Sequence, residues 1–377
     1  MSLEKASDTL QPMAFGSFRN WLRLLWSNGG VDPPYLRRAL FVSAVSGLTT
    51  PFRWYERLRY AEVSRAQEIK PPIFILGHWR SGTTHLHYLM CQDKNFGYPT
   101  TFQTIAPELF LGSEKLLKPL MVKLAPSKRM MDNMALSLDG PQEEEFAISN
   151  VSPYSFYHHW SFPRQAREYF ERYALFQGVA PEVIARWKEI YLQVLRKATY
   201  KMGGRQLLIK NPAHTGHVKI LLELFPHAKF IHVYRDPYRV FPSTRHFYKK
   251  ILAIARFQDI QLAEVEANIL DFYREIMQKF LAEKSLIPLE NFVEVKFEAL
   301  EANPLAELRR IYEHLQLPGF EGAAGAFRDY LALQAGYQKN EYPLKPEDIE
   351  KVNQHWQFAV KEWGYAPQTA SPARLQA

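Results

Sequence analysis

Two arginines, two threonines and a serine are spaced in this chain as an anion site would space them. Gly77 and Gly82 bracket a loop of His78, Trp79, Arg80 and Ser81, and Thr83 and Thr84 follow at once. Ahead of the loop, Ile73 to Leu76 are four apolar residues behind two prolines, the pattern of a buried parallel strand. After it, Leu86, Leu89 and Met90 recur at helical spacing. A strand, a glycine-bounded loop and a helix N-terminus bring backbone N–H groups and the positive end of a helix dipole to one point. The spacing Gly-x4-Gly is that of a P-loop, yet Thr83 stands where a nucleotide triphosphatase needs Lys. With its cation at Arg80 and two hydroxyls behind, the loop suits a terminal 5′-phosphate better than a magnesium triphosphate. An ordinary glycine turn is the competing reading.

A second apolar run, Lys229 to Tyr234, ends in Arg235-Asp236-Pro237, and Ser243 lies eight residues beyond Arg235, just after Pro242. Ligands of doubly wound sheets sit outside the carboxyl ends of the strands, so Arg235 belongs on the same edge as the loop. Ser243 is expected in a segment that restarts after Pro242. Between these runs lies Leu207-Leu-Ile-Lys210-Asn-Pro212.

These three segments, in this order, resemble the sulfotransferase superfamily. Arg-Ser-Gly-Thr-Thr after a strand is similar to that family's 5′-phosphosulfate loop, and Arg-Asp-Pro with its later Ser to its 3′-phosphate site. Lys210-Asn-Pro212 looks like the Lys-x-Pro segment of tyrosylprotein and related Golgi-type and bacterial members. The resemblance is strongest over residues 71–245 and runs more weakly to about 365. It implies an α/β fold, P-loop-like and three-layered, whose central and mostly parallel sheet is flanked by helices, with helical additions. It also implies 3′-phosphoadenosine 5′-phosphosulfate (PAPS) as donor and no metal. By the same resemblance Arg80, Ser81, Gly82, Thr83 and Thr84 would hold the 5′-phosphate, and Arg235 with Ser243 the 3′-phosphate. Lys339, near Tyr337 and Tyr342, would close over the latter.

Sulfuryl transfer to a hydroxyl needs a group that takes the departing proton. Asp139-Gly-Pro141-Gln142-Glu143-Glu144-Glu145 offers carboxylates and is similar to the Pro-x-Glu-x-Glu element of bacterial relatives, so Glu143 or Glu145 is the candidate base and Glu108 a spare. The same segment carries helix-start signals, with Asp139 as N-cap and Gln142 three residues on, and acids there also complement a helix dipole. Arg80 cannot give up its proton, so charge stabilisation of the leaving oxygens is its expected part. Lys210 is expected beside the transferring group. His78 lies in the loop, while His85 and His87 lack the Cys/His partners a metal needs. His158 and His159 belong to an aromatic run, Pro153 to Phe162, that reads as pocket lining or as core.

The elements that must position these groups follow from length and composition. The 377 residues are 47% hydrophobic and 23% charged, as in a globular protein, with a net charge of +8. No basic run or motif indicates nucleic acid, and a polyanionic nucleotide accounts for part of the excess. The single cysteine, Cys91, excludes an intrachain disulfide and fits the cytoplasm. Residues 1–70 read as an aromatic-rich, arginine-bearing helical segment. Such a segment suits peripheral contact with a membrane, although helices packed on the main domain explain it more simply. Residues 71–365 form the expected sulfotransferase domain, with a helical acceptor-side insertion at about 106–200, helices at about 246–285, and a last strand from Asn291 before a helix over 305–315. Residues 366–377 read as a tail. The resemblance implies an acceptor hydroxyl on a small molecule, glycan or lipid. A P-loop kinase and a non-catalytic membrane-surface protein are the alternatives. Kinases need the missing loop Lys and a metal-holding Asp, whereas Asp236 reads as a turn residue.

Overall fold

A computed structural model describes residues 11–124, 137–336 and 342–369. Five strands form one parallel sheet: β1 (Ile73–Leu76), β2 (Phe96–Gly97), β3 (Gln206–Lys210), β4 (Lys229–Tyr234) and β5 (Phe292–Lys296), in the order β2-β3-β1-β4-β5. The chain runs outward from β1 to β2, returns through β3, and crosses β1 to reach β4. The order therefore reverses around β1, whose C-terminal end opens the crevice that such sheets use for ligands. Ile75 lies in register with Lys210 on one side and Ile231 on the other, which sets the ends of β1, β3 and β4 along one edge.

Both faces of the sheet are covered. Phe74 and Leu76 pack into one core with Phe230, Trp187 and Tyr191, while Ile73 and Ile75 point to the other with Leu86, Val293 and Leu308. That alternation under two helical layers explains why β1 is apolar at every position. The layers used below are α1 (Phe18–Ser27), α2 (Leu36–Leu48), α3 (Thr50–Arg59), α4 (Thr83–Met90), α5 (Phe110–Leu124), α6 (Glu145–Val151), α7 (Pro181–Lys201) and α8 (Pro237–Ala255). The amino-terminal helices share the main core, since Trp21, Leu24 and Val42 belong to the same cluster as Phe74.

The described residues between 106 and 200 are largely helical, and a strand begins at Phe292, as the sequence suggests. Other expectations are corrected. The two-residue strand β2 is too short to leave a periodic signal. The helix expected over 305–315 spans Pro304–His314, behind a short one at Phe297–Ala302. Pro242 interrupts nothing: it sits inside α8, so Ser243 is in a helix that begins at Pro237. Asp139 caps no helix. It pairs with Lys118, Pro141 bridges to Thr100, and α6 starts only at Glu145. The segment instead turns at Asp139 and Gly140 and then leads Glu143 to Lys210 at the end of β3. Lys339 and residues 370–377 of the expected tail lie outside the described residues.

Candidate active site

The loop after β1 is held by contacts that leave little choice of residue. Gly77 has φ 136°, and a Cβ added there would lie 2.3 Å from the Val233 carbonyl oxygen. Gly82, at φ 96°, starts α4 so close to Phe297 that an added Cβ would meet its ring at 2.0 Å. Arg80 adopts φ 71°, a left-handed conformation that non-glycine residues hold only when their surroundings impose it. The Gly77 N–H donates to Thr215 Oγ1 at 2.9 Å, tying the loop to the segment after β3.

Around this loop the predicted anion ligands converge. Arg80 Nε donates to Ser243 Oγ at 2.9 Å, and an Arg235 guanidinium N–H donates to the Arg80 carbonyl at 3.3 Å. Arg235 also stacks over Phe297 at 4.5 Å from the ring centre. Burial pulls its pKa below the usual guanidinium value, so an anion there would be welcome. Asp236 accepts the Tyr238 N–H and caps α8, the turn role its sequence context suggested.

One cavity joins the loop to the acidic segment. Trp79, Arg80, Thr83 and Thr84 line one side, Gln142, Glu143 and Phe146 another, and Trp160, Pro212, Phe247 and Ile251 complete it. Ser243, Phe247 and Ile251 lie four residues apart on α8, so a single helical stripe leads from the anion ligands to the apolar wall.

The three consecutive glutamates have different surroundings. Glu143 faces the cavity, taking the Lys210 ammonium on Oε1 and the Tyr157 hydroxyl on Oε2. Glu144 is fully buried, with Oε1 at 2.5 Å from His214 Nε2 and 3.0 Å from Asn211 Nδ2. Glu145 is equally buried, accepting from Ser155 at 2.6 Å and from Asn211 at 3.1 Å. Burial pushes Glu144 up to about 8 and Glu145 up to about 7. It pushes His214 down to about 3. Burial thus disfavours charge on both partners of the Glu144–His214 contact. Glu145, offered with Glu143 as a base, faces inward. Glu108, the spare, is taken by Arg57 at 2.6 Å and Arg53 at 3.7 Å, away from the cavity wall.

His78, His158 and His159 are buried and engaged within the protein. Burial lowers His78, His158 and His159 to about 3, 4 and 3. His78 bonds the Trp79 carbonyl, His158 that of Ser152, and His159 stacks on Phe156 at 4.0 Å. Among the described residues no group of three or more His, Cys, Asp or Glu could hold a metal ion.

Sequence reasoning missed Tyr157, Asn211 and Thr215. Tyr157 was visible only as one ring of an aromatic run. Asn211 ties Glu144 and Glu145 together from within the Lys-x-Pro segment, where a buried amide between two acids has no periodic signature.

Comparisons with known proteins agree on one family. A model of the sulfotransferase family matches residues 71–322. Omega-hydroxy-beta-dihydromenaquinone-9 sulfotransferase Stf3 of Mycobacterium bovis is 34% identical over 362 residues, covering 96% of this chain and 92% of its own. The same-named protein of Mycobacterium tuberculosis matches equally. Among solved structures, sulfotransferase STF9 of Mycobacterium avium superposes with a TM-score of 0.66 at 20% identity, over 93% of this chain and 97% of that one. Sulfotransferase STF1 of M. tuberculosis gives 0.56 at 17% identity, over 88% and 93%.

Proposed function

The chain belongs to the sulfotransferase family, and from that premise we propose that it moves a sulfuryl group from PAPS to a hydroxyl on an apolar acceptor, with Glu143 as the base. The observation that carries this reading is one cavity with Arg80, Thr83 and Thr84 on one wall and the Glu143 carboxylate on another.

The residues present fit that donor. The backbone and hydroxyls of Ser81, Gly82, Thr83 and Thr84, at the N-terminus of α4, suit its 5′-phosphate. Arg235 and Ser243 suit the 3′-phosphate that distinguishes it from ATP. Once bound, this nucleotide supplies an activated sulfuryl group. Glu143 accepts the acceptor proton as the hydroxyl oxygen bonds to sulfur and the sulfur–oxygen bond to the 5′-phosphate breaks. Arg80 and the loop N–H groups stabilise charge on the departing oxygen. Lys210 orients the carboxylate and places a positive charge beside the transferring group. Tyr157 fixes the other carboxylate oxygen. Each carboxylate oxygen has two lone pairs, so both contacts leave Glu143 able to take a proton.

For the acceptor, the 34% identical Stf3 proteins are named for an omega-hydroxylated dihydromenaquinone. Trp160, Phe146, Phe247 and Ile251 offer the apolar contacts that a hydroxylated isoprenoid-type lipid requires. Such a lipid is the proposed acceptor class, and the cytoplasm, where Cys91 stays reduced, the proposed location. Calorimetric titration with adenosine 3′,5′-bisphosphate and with ADP tests the donor half: tight binding of the bisphosphate alone is expected, and preference for ADP overturns it. Labelled sulfuryl transfer to a hydroxylated isoprenoid quinone, with a simple phenol beside it, tests the acceptor half.

A further inference from the structure

Four helices that flank the loop in sequence, none of which lines the cavity, carry a concentration of charge that the site does not use. Helices α1, α2, α3 and α5 hold ten Lys and Arg against two Glu, a net charge of +8, equal to that of the whole chain. Part of it is internal or paired, since Arg38 and Arg53 are buried, Arg57 pairs with Glu108 and Lys118 with Glu114 and Asp139, while Arg19, Arg23, Arg37, Arg59, Lys115 and Lys123 stand at the surface. Glu56 is buried, accepting the Leu111 and Gly112 N–H groups at 2.8 and 2.9 Å together with Lys197. Glu114 is held by Lys118 and Lys201.

The outward faces of the same helices are apolar. Helix α3 buries Arg53 and Glu56 and turns Trp54 (63% exposed) and Leu58 (84%) to the outside, the reverse of an ordinary surface helix. Helix α5 packs against α3 and does likewise with Leu116 (61%), Leu120 and Val122. Phe52, Tyr55, Leu111 and Leu116 line a groove between the two. Helix α2, which leads into α3 through Thr49, presents Leu36, Leu40 and Leu48. Arg37, Arg59, Lys115 and Lys123 stand exposed among these residues. No described helix is long and apolar enough to cross a membrane.

We propose that this face docks the protein on the surface of an anionic lipid bilayer. Large exposed aliphatic and indole groups interleaved with cations are what a helix lying in the headgroup region requires. A polyanion such as nucleic acid would use the cations and leave the leucines in water. A second copy of the chain would bring like charges together, which makes an anionic lipid surface the better-matched occupant. The inference is independent of the acceptor reading, because vesicle binding is measured without donor or acceptor and either can fail alone.

The test is co-flotation of the full chain with phosphatidylcholine vesicles made with and without phosphatidylglycerol. Binding to the anionic vesicles, weakened by salt, is expected. Leu58→Asp should abolish most of it, and Lys115→Ala with Lys123→Ala should lower partitioning roughly 10- to 30-fold. Both variants should keep wild-type affinity for adenosine 3′,5′-bisphosphate, which reports that the fold is intact. No flotation with either vesicle, or flotation unchanged in the variants, overturns the proposal. So does a wild-type dimer in light scattering that Leu58→Asp converts to a monomer without any vesicle binding, since the face would then belong to a second copy.

Discussion

The two walls of the cavity are built by different means. The wall of Arg80, Thr83 and Thr84 comes from one short segment whose backbone is fixed by Gly77, Gly82 and the neighbouring strand end. The facing wall gathers Glu143, Phe146, Trp160, Phe247 and Ile251 from segments a hundred residues apart, each held by packing. An anion site of the first kind tolerates little change in backbone, and an apolar wall of the second kind tolerates change in shape. Substitutions on the two walls should therefore fail differently, one in donor binding and the other in turnover or acceptor affinity.

The largest effect is expected at Glu143, the group of the second wall proposed to act as the base. Glu143→Gln should lower turnover about 100- to 10,000-fold, the range for loss of a general base, while leaving adenosine 3′,5′-bisphosphate affinity unchanged. Normal turnover in that variant would remove Glu143 from the reaction. Next comes Arg235→Ala, which should weaken bisphosphate binding roughly 10- to 100-fold, as for a lost charged hydrogen bond, and leave ADP binding as it was. Equal losses for both nucleotides would mean that Arg235 supports the loop, through the Arg80 carbonyl, and reads no 3′-phosphate. A smaller effect is expected from Phe247→Leu, on the same helical stripe as Ser243. It should raise the acceptor KM several-fold at an unaltered donor KM, in line with the modest discrimination of apolar pockets. A changed donor KM would show that the two walls are coupled through α8.

The same division explains what could be read without a structure. Gly77, Arg80, Gly82 and Thr83 fall within one short segment, and the loop they form depends on backbone conformation, so residue type and spacing carried the information. The place of Arg235 beside the loop was legible because a strand's end defines its side of the sheet. Glu143 could not be separated from Glu145, since three successive acids look alike until one face of the segment is buried. The helix-start signals at Asp139 and Gln142 misled for a related reason: local capping preference was overridden by the pairing of Pro141 with Thr100. Pro242 misled in the opposite direction, because a helix can carry a proline where its neighbours hold the backbone in place. The exposed leucines of α2, α3 and α5 were invisible as exposed, since an apolar stripe predicts a buried face by default.

Glu144 separates a supporting role from a catalytic one by pH. Its carboxyl, pushed up to about 8 by burial, is protonated in the folded protein well above the pH at which an unfolded chain would ionise it. Between those two values the folded state binds more protons than the unfolded one, so stability falls as pH rises. The contribution is complete in mild acid, below the ordinary carboxylate range, and is lost by about pH 8. Glu145, pushed up to about 7, acts in the same direction over a narrower window. Glu144→Gln replaces the carboxyl with an isosteric neutral amide that can still donate to His214 Nε2. The denaturation midpoint in urea should then decline less between pH 5 and pH 8 than in the wild type, with turnover little changed. An unchanged slope would mean that Glu144 is ionised in the fold and paired with a protonated His214, which would place a buried charge pair directly behind Glu143.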